Sequence, residues 1–124
     1  MSSEAVGRWV FVQVDALDPL RQAEFWAAVL GTSIRGALGD PPQYVGVTGT
    51  SPDATRLAFQ RVLELVPGKT TPHLHTPGAA LAAAPARVEA LGATRVPDGD
   101  VAEHGISWRV MQDPEGNVFC LVPD

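Results

Sequence analysis

A chain of 124 residues has room for one continuous core, and a composition 45% hydrophobic and 19% charged excludes a compositionally disordered protein. Its formal net charge of −5, with basic residues scattered, argues against a nucleic-acid partner, which needs clustered Lys and Arg. The lone Cys120 rules out an internal disulfide, and no uncharged apolar run approaches a bilayer span.

In chain order, Arg8–Asp15 alternates Val10, Val12 and Val14 with Trp9, Phe11, Gln13 and Asp15. That period-two pattern predicts a strand whose valine face packs under a helix. Asp18-Pro19 then reads as an N-cap followed by proline at the first helical position. The helix runs through Phe25 and Ala28 to Leu30, where Gly31 takes the left-handed cap. Thr32–Arg35 is a short strand, Gly36–Pro42 a loop, and Tyr44–Thr48 and Arg56–Val62 are strands joined by the turn-like Gly49–Asp53. Leu63–Thr71, with Pro67-Gly68-Lys69, reads as a linker.

The same order then returns. Pro72–Thr76 is a strand, Gly78–Leu91 a helix ended at Gly92, Ala93–Val96 a strand and Pro97–Gly105 a loop. Ile106–Gln112 and Val118–Val122 are strands flanking the tight turn Asp113-Pro114-Glu115-Gly116-Asn117. Proline inside a helix costs roughly 3 kcal/mol. Pro85 therefore means that the second helix either starts late, with Pro85 in its first turn, or is kinked.

Leu30-Gly31 and Leu91-Gly92 lie about half a chain apart, as do Ser51-Pro52-Asp53 and Asp113-Pro114-Glu115. The agreement of spacing and element order implies an α+β fold of two similar modules, about 7–63 and 72–124 with a linker at 64–71, in a single domain 1–124. The alternative is a β-rich domain with two helices and chance dipeptide matches. In each module a helix covers one sheet face, and two modules can close their bare faces around a shared cleft, where pockets tend to lie. The start, Met1-Ser2-Ser3-Glu4, lacks a basic region followed by an apolar one, so the expected location is cytoplasmic.

The segments VDALDPLRQAEFWAAVLG, RLAFQRV, HLH with ARVEALGATRV, and WRVMQDPEGNVFCLV together cover nearly the whole chain. In them the sequence resembles the vicinal oxygen chelate superfamily, and within it the glyoxalase-like branch common in bacteria. The resemblance implies two βαβββ modules forming a curved mixed sheet around a central cleft, with helices outside. The superfamily includes glyoxalase I, extradiol dioxygenases, epimerases, fosfomycin thiol transferases and metal-free bleomycin-binding proteins, so the fold alone does not fix the function.

The resemblance also carries metal-ligand positions onto this chain: Phe11, Gln60 (Ala58 if the register slips by two), His73 and Cys120. A divalent metal needs several converging lone-pair donors, commonly imidazole and carboxylate. Phe11 offers none and Gln60 is a weak ligand, so no cofactor is expected, with a divalent metal as the alternative.

His73 is the one candidate catalytic residue, as general base or hydrogen-bonding group, against an ordinary hydrogen-bonded histidine. His75, two residues on, either lines a polar cavity or completes a His-x-His metal pair. Cys120 reads as a packed core thiol before it reads as a nucleophile. Phe11, Trp9 and Trp108 form an aromatic wall for a flat ligand or are plain core, and Gln13 adds a polar contact. Asp15 serves the turn before Asp18 or, sharing a face with Phe11, adds a second polar contact; His104 is solvated, and Asp113–Asn117 is a turn without chemistry. Arg109 and Gln112 fall on opposite faces of one strand, and alternation leaves open which looks inward.

The first functional expectation is therefore a small-molecule-binding protein of the glyoxalase/bleomycin-resistance type without the usual metal site. Phe11, Gln13, Gln60, His73, His75, Trp108 and Cys120 would line its cleft. The second is a lyase or isomerase in which His73 moves a proton, with or without a metal. The third is a non-catalytic dimerisation module. Many relatives form dimers, which leaves a homodimer open, and no nucleic-acid or membrane partner is expected.

Overall fold

A computed structural model of the chain describes residues 11–52, 54–66, 72–76 and 80–123. The chain divides into two compact units, Met1–Leu65 and Val66–Asp124. The first holds β1 (Phe11–Ala16), α1 (Pro19–Leu30), β2 (Ile34–Leu38), β3 (Tyr44–Val47) and β4 (Arg56–Arg61). The second holds β5 (His73–Thr76), α2 (Ala84–Ala90), β6 (Thr94–Glu103), β7 (Ile106–Gln112) and β8 (Val118–Pro123). Each is a βαβββ module with a four-stranded mixed sheet, ordered β1-β4-β3-β2 in one and β5-β8-β7-β6 in the other. The first strand of each runs parallel to the last, and the remaining pairs are antiparallel.

Local chemistry explains α1. The Asp18 carboxylate accepts from the Arg21 N–H at 3.2 Å, Pro19 opens the helix, and Gly31 closes it at φ 69°. Only a residue without a Cβ adopts that conformation freely. Pro19, Gln22, Ala23 and Trp26 fall at i, i+3, i+4 and i+7 and are all buried, as are Phe25 and Ala27. The rings of Phe25 and Trp26 meet edge to face at 5.2 Å. The sheet answers with Ala16, Val45, Val47 and Phe59, each 1% exposed or less. Burying side chains the size of valine or phenylalanine is worth about 1.5–3 kcal/mol apiece.

In the second unit Ala84, Pro85 and Val88 of α2 are buried, and so are Ala93, Met111, Phe119 and Leu121. The helix is shorter than the sequence pattern implies. It begins at Ala84 with Pro85 in its first turn, where the missing N–H costs nothing, so the late start rather than a kink accommodates the proline.

Three other expectations shift. First, β1 is the outermost strand of its sheet while α1 lies mainly over β3 and β4, so Val12 stays 43% exposed and only Ala16 of β1 is fully buried. Second, β2 runs on to Leu38, into the segment expected to be loop, because Gly36, Ala37 and Leu38 pair with β3. Third, Pro97–Gly105 is mostly strand. β6 continues to Glu103 and turns at His104-Gly105, both at positive φ, the twist that a two-residue hairpin favours. Its register slips between Arg95 and Asp100, leaving Val96–Gly99 as a bulge opposite Val110.

Candidate functional site

Residues paired across strands share one side of a sheet, and successive residues alternate sides. In the first unit Phe11 lies opposite Arg56, Gln13 opposite Ala58 and Asp15 opposite Gln60. Across β4 and β3, Gln60 faces Tyr44 and Ala58 faces Gly46, and β2 adds Leu38 and Gly36. This is the side away from the buried Val45 and Phe59, hence the helix-free side. Three of its apolar side chains remain open: Phe11 at 48%, Tyr44 at 39% and Leu38 at 69% exposure. Between them Gln13 Nε2 donates to Gln60 Oε1 at 2.6 Å.

In the second unit His73 pairs with Cys120, and Cys120 with Val110. Alternation along β7 puts Trp108 and Gln112 on this side and Arg109 on the side of buried Met111 and Phe119. That settles which face of the strand looks away from the helix. Arg109 instead meets the Asp100 carboxylate at 3.2 Å. His73 is exposed, Trp108 is half-buried, and His75 is placed by its backbone opposite Val122. Cys120 is 5% exposed, and burial pushes its thiol pKa up. A thiol held protonated is a poor nucleophile. Trp9 lies outside the described residues.

At the family metal positions stand Phe11 and Gln60 in the first unit and His73 and Cys120 in the second. Phe11 has no lone pair, and the Gln60 carbonyl accepts from Gln13. His73 and Cys120 stand directly opposite one another, whereas Phe11 and Gln60 are paired with different partners, Arg56 and Asp15. Among the described residues no three His, Cys, Asp or Glu converge.

A cavity of about 340 Å³ lies within the second unit, beside the β6 bulge, lined by residues that include Pro85, Arg95, Asp98, Asp100 and Arg109. Of the residues weighed from the sequence it holds Arg109, and none of those expected to line the cleft. Its arginines are already neutralised, Arg95 by Glu89 at 2.8 Å and Arg109 by Asp100. The cleft candidates fall instead on the helix-free sides of the two sheets. Tyr44 and Leu38 join them, and sequence reasoning missed both. Tyr44 alternates with buried Val45 and Val47, a legible signal, whereas Leu38 lay in a segment read as loop.

The glyoxalase-like domain model matches residues 11–122, nearly the whole chain. The chain belongs to the glyoxalase-like domain family. It is thereby a member of the vicinal oxygen chelate superfamily. Solved glyoxalase-like structures share its fold. A glyoxalase/bleomycin resistance protein/dioxygenase family enzyme from Burkholderia phytofirmans PsJN superposes with a TM-score of 0.73 at 18% identity, over 91% of this chain and 95% of that one. A glyoxalase-related enzyme from Fulvimarina pelagi gives 0.75 at 15% identity, over 96% and 89%. A glyoxalase/bleomycin resistance protein from Albidiferax ferrireducens T118 gives 0.63 at 19% identity, over 94% and 98%. No curated protein matches the chain in sequence. Among the described residues no helix of this glyoxalase-like chain is long and apolar enough to cross a membrane.

Proposed function

We propose that this glyoxalase-like protein is a cytoplasmic binder of a small, flat organic molecule, held on the helix-free faces of its sheets without the usual metal site. The observation that carries this reading is the composition of the first unit's open face. It carries Phe11 and Gln60 at the family's metal positions, with Gln13 hydrogen-bonded to Gln60 and Tyr44 opposite it on β3. Exposed aromatics beside a few placed polar groups are the usual makeup of a small-molecule site. On the second unit His73, Trp108 and Gln112 supply the same mixture, on the side of the sheet that also carries the buried Cys120.

The test is metal content of the purified protein, with thermal melts against Ni²⁺, Zn²⁺, Mn²⁺ and Fe²⁺ and then against flat aromatic compounds. A ligand that binds only the folded state raises the melting temperature by mass action. The expected result is no bound metal, no metal-induced shift and a saturable shift with aromatic compounds. A shift with one ion that disappears in His73→Ala would overturn the metal-free reading and favour a lyase or isomerase with His73 at its centre.

A further inference from the structure

The amide pair on the first sheet narrows the ligand class. Gln13 and Gln60 come from parallel neighbours β1 and β4, on diagonal positions of the helix-free face. Their single mutual bond, 2.6 Å from Gln13 Nε2 to Gln60 Oε1, leaves the Gln13 carbonyl oxygen and the Gln60 amide NH₂ without a partner among the described residues. If both amides were rotated end for end, the pair would still present one donor and one acceptor, because each side chain carries both. Phe11 lies one alternation from Gln13 on β1, and Tyr44 directly opposite Gln60 on β3. The strands beyond Gln13 place Ala58, Gly46 and Gly36 in one row, and a Cβ built on Gly36 would meet nothing within 4 Å. The row beside Gln13 therefore carries only small residues, a Cβ on Gly46 meeting only Arg35 Cβ at 3.8 Å, with Phe11 in the row on one side and Tyr44 in the row on the other.

From this arrangement we infer that the ligand is a planar aromatic compound carrying a cis-amide edge, a lactam or primary carboxamide, read by Gln13 and Gln60 together. Such an edge offers an N–H to the Gln13 carbonyl and a C=O to the Gln60 amide. A carboxylate brings acceptors only and an ammonium donors only, so each leaves one glutamine group unmatched. A site built to satisfy both hydrogen-bonding groups of a ligand discriminates against an analogue lacking one. The inference rests on the small-molecule reading above, and its test separates the two.

The probes are 2-quinolone, which has the cis-amide edge, its N-methyl derivative, which lacks the donor, and quinoline, which lacks the amide altogether. They are titrated into the full chain while backbone and glutamine side-chain amide resonances are followed by NMR. The expected result is saturable movement of the Gln13 and Gln60 side-chain signals with 2-quinolone, and weakening by roughly three- to tenfold on N-methylation. That preference should vanish in Gln13→Met and Gln60→Met, whose backbone spectra report that the fold is kept. Equal affinities for all three probes on the open face, unchanged by either substitution, would overturn the cis-amide inference and leave the small-molecule reading standing. No saturable change at any open-face residue with any probe would overturn both.

Discussion

Three hydrogen bonds join Asp113 and Asn117 across the turn between β7 and β8. The Asp113 N–H donates to the Asn117 carbonyl at 2.8 Å, and the Asn117 backbone and side-chain N–H groups donate to the Asp113 carboxylate at 2.9 and 3.0 Å. Glu115 N–H adds a further bond to the same carboxylate at 3.0 Å. Asp113 is 3% exposed, and its carboxylate bonds hold the turn of the hairpin.

Asp113→Ala removes the carboxylate that accepts three of those four bonds and leaves their donors unsatisfied, while the backbone bond from Asp113 N–H to the Asn117 carbonyl remains. The expected loss is about 2–4 kcal/mol in urea unfolding, with Asn117→Ala costing less. Aromatic-probe affinity per folded molecule should be unchanged. A loss of binding without a loss of stability would instead place Asp113 in the ligand site.

Burial holds the Cys120 thiol protonated above its ordinary range. Alkylation by iodoacetamide at pH 7.5 should be much slower than for an unfolded-chain thiol, and it should accelerate as pH rises. The linkage has a definite sign. The folded state keeps its proton to higher pH than the unfolded state, so stability is full below the unfolded thiol's pKa, about 8.5, and declines as pH rises through the folded value. Urea midpoints at pH 7 and 10 should converge in Cys120→Val relative to the unsubstituted chain. Equal pH dependence in the two would show that the thiol is not held neutral.

Gly99 sits buried in the β6 bulge, and a Cβ there would fall 2.7 Å from the Val110 carbonyl oxygen and 2.8 Å from that of Val96. Both obstacles are backbone, so the bulge must move. Gly99→Ala is expected to lower stability by about 1–3 kcal/mol. Gly36→Ala meets open space and should change stability by less than about 0.5 kcal/mol. Comparable effects at the two positions would contradict the bulge geometry.

Phe11 and Phe59 belong to neighbouring strands but face opposite sides, at 48% and 1% exposure. Phe59→Ala should cost about 3–5 kcal/mol by leaving a cavity under α1. Phe11→Ala should cost less than about 1 kcal/mol yet weaken binding of flat aromatic probes. Chemical denaturation and the probe titration, run on both variants, separate a core ring from a ligand-facing one.

The sequence by itself determined the element order, the repeat and most boundaries of α1. The Asp18 cap, Pro19 and Gly31 act on their nearest neighbours along the chain, and such short-range terms are written locally. Alternation also separated Phe11, Gln13 and Asp15 from the valines of the same strand, and the family motifs supplied the remaining candidate positions. What the tertiary structure alone decided is long-range. β2 and β6 extend through segments rich in Gly, Pro and Asp because a neighbouring strand takes up their backbone hydrogen bonds, a benefit that outweighs poor local propensity. The side on which Arg109 and Gln112 lie depended on the register of β7 against β8. The bond between Gln13 and Gln60 depended on that of β1 against β4. Register is fixed by what packs under each sheet, and a shift of one residue would turn every one of these side chains to the other face.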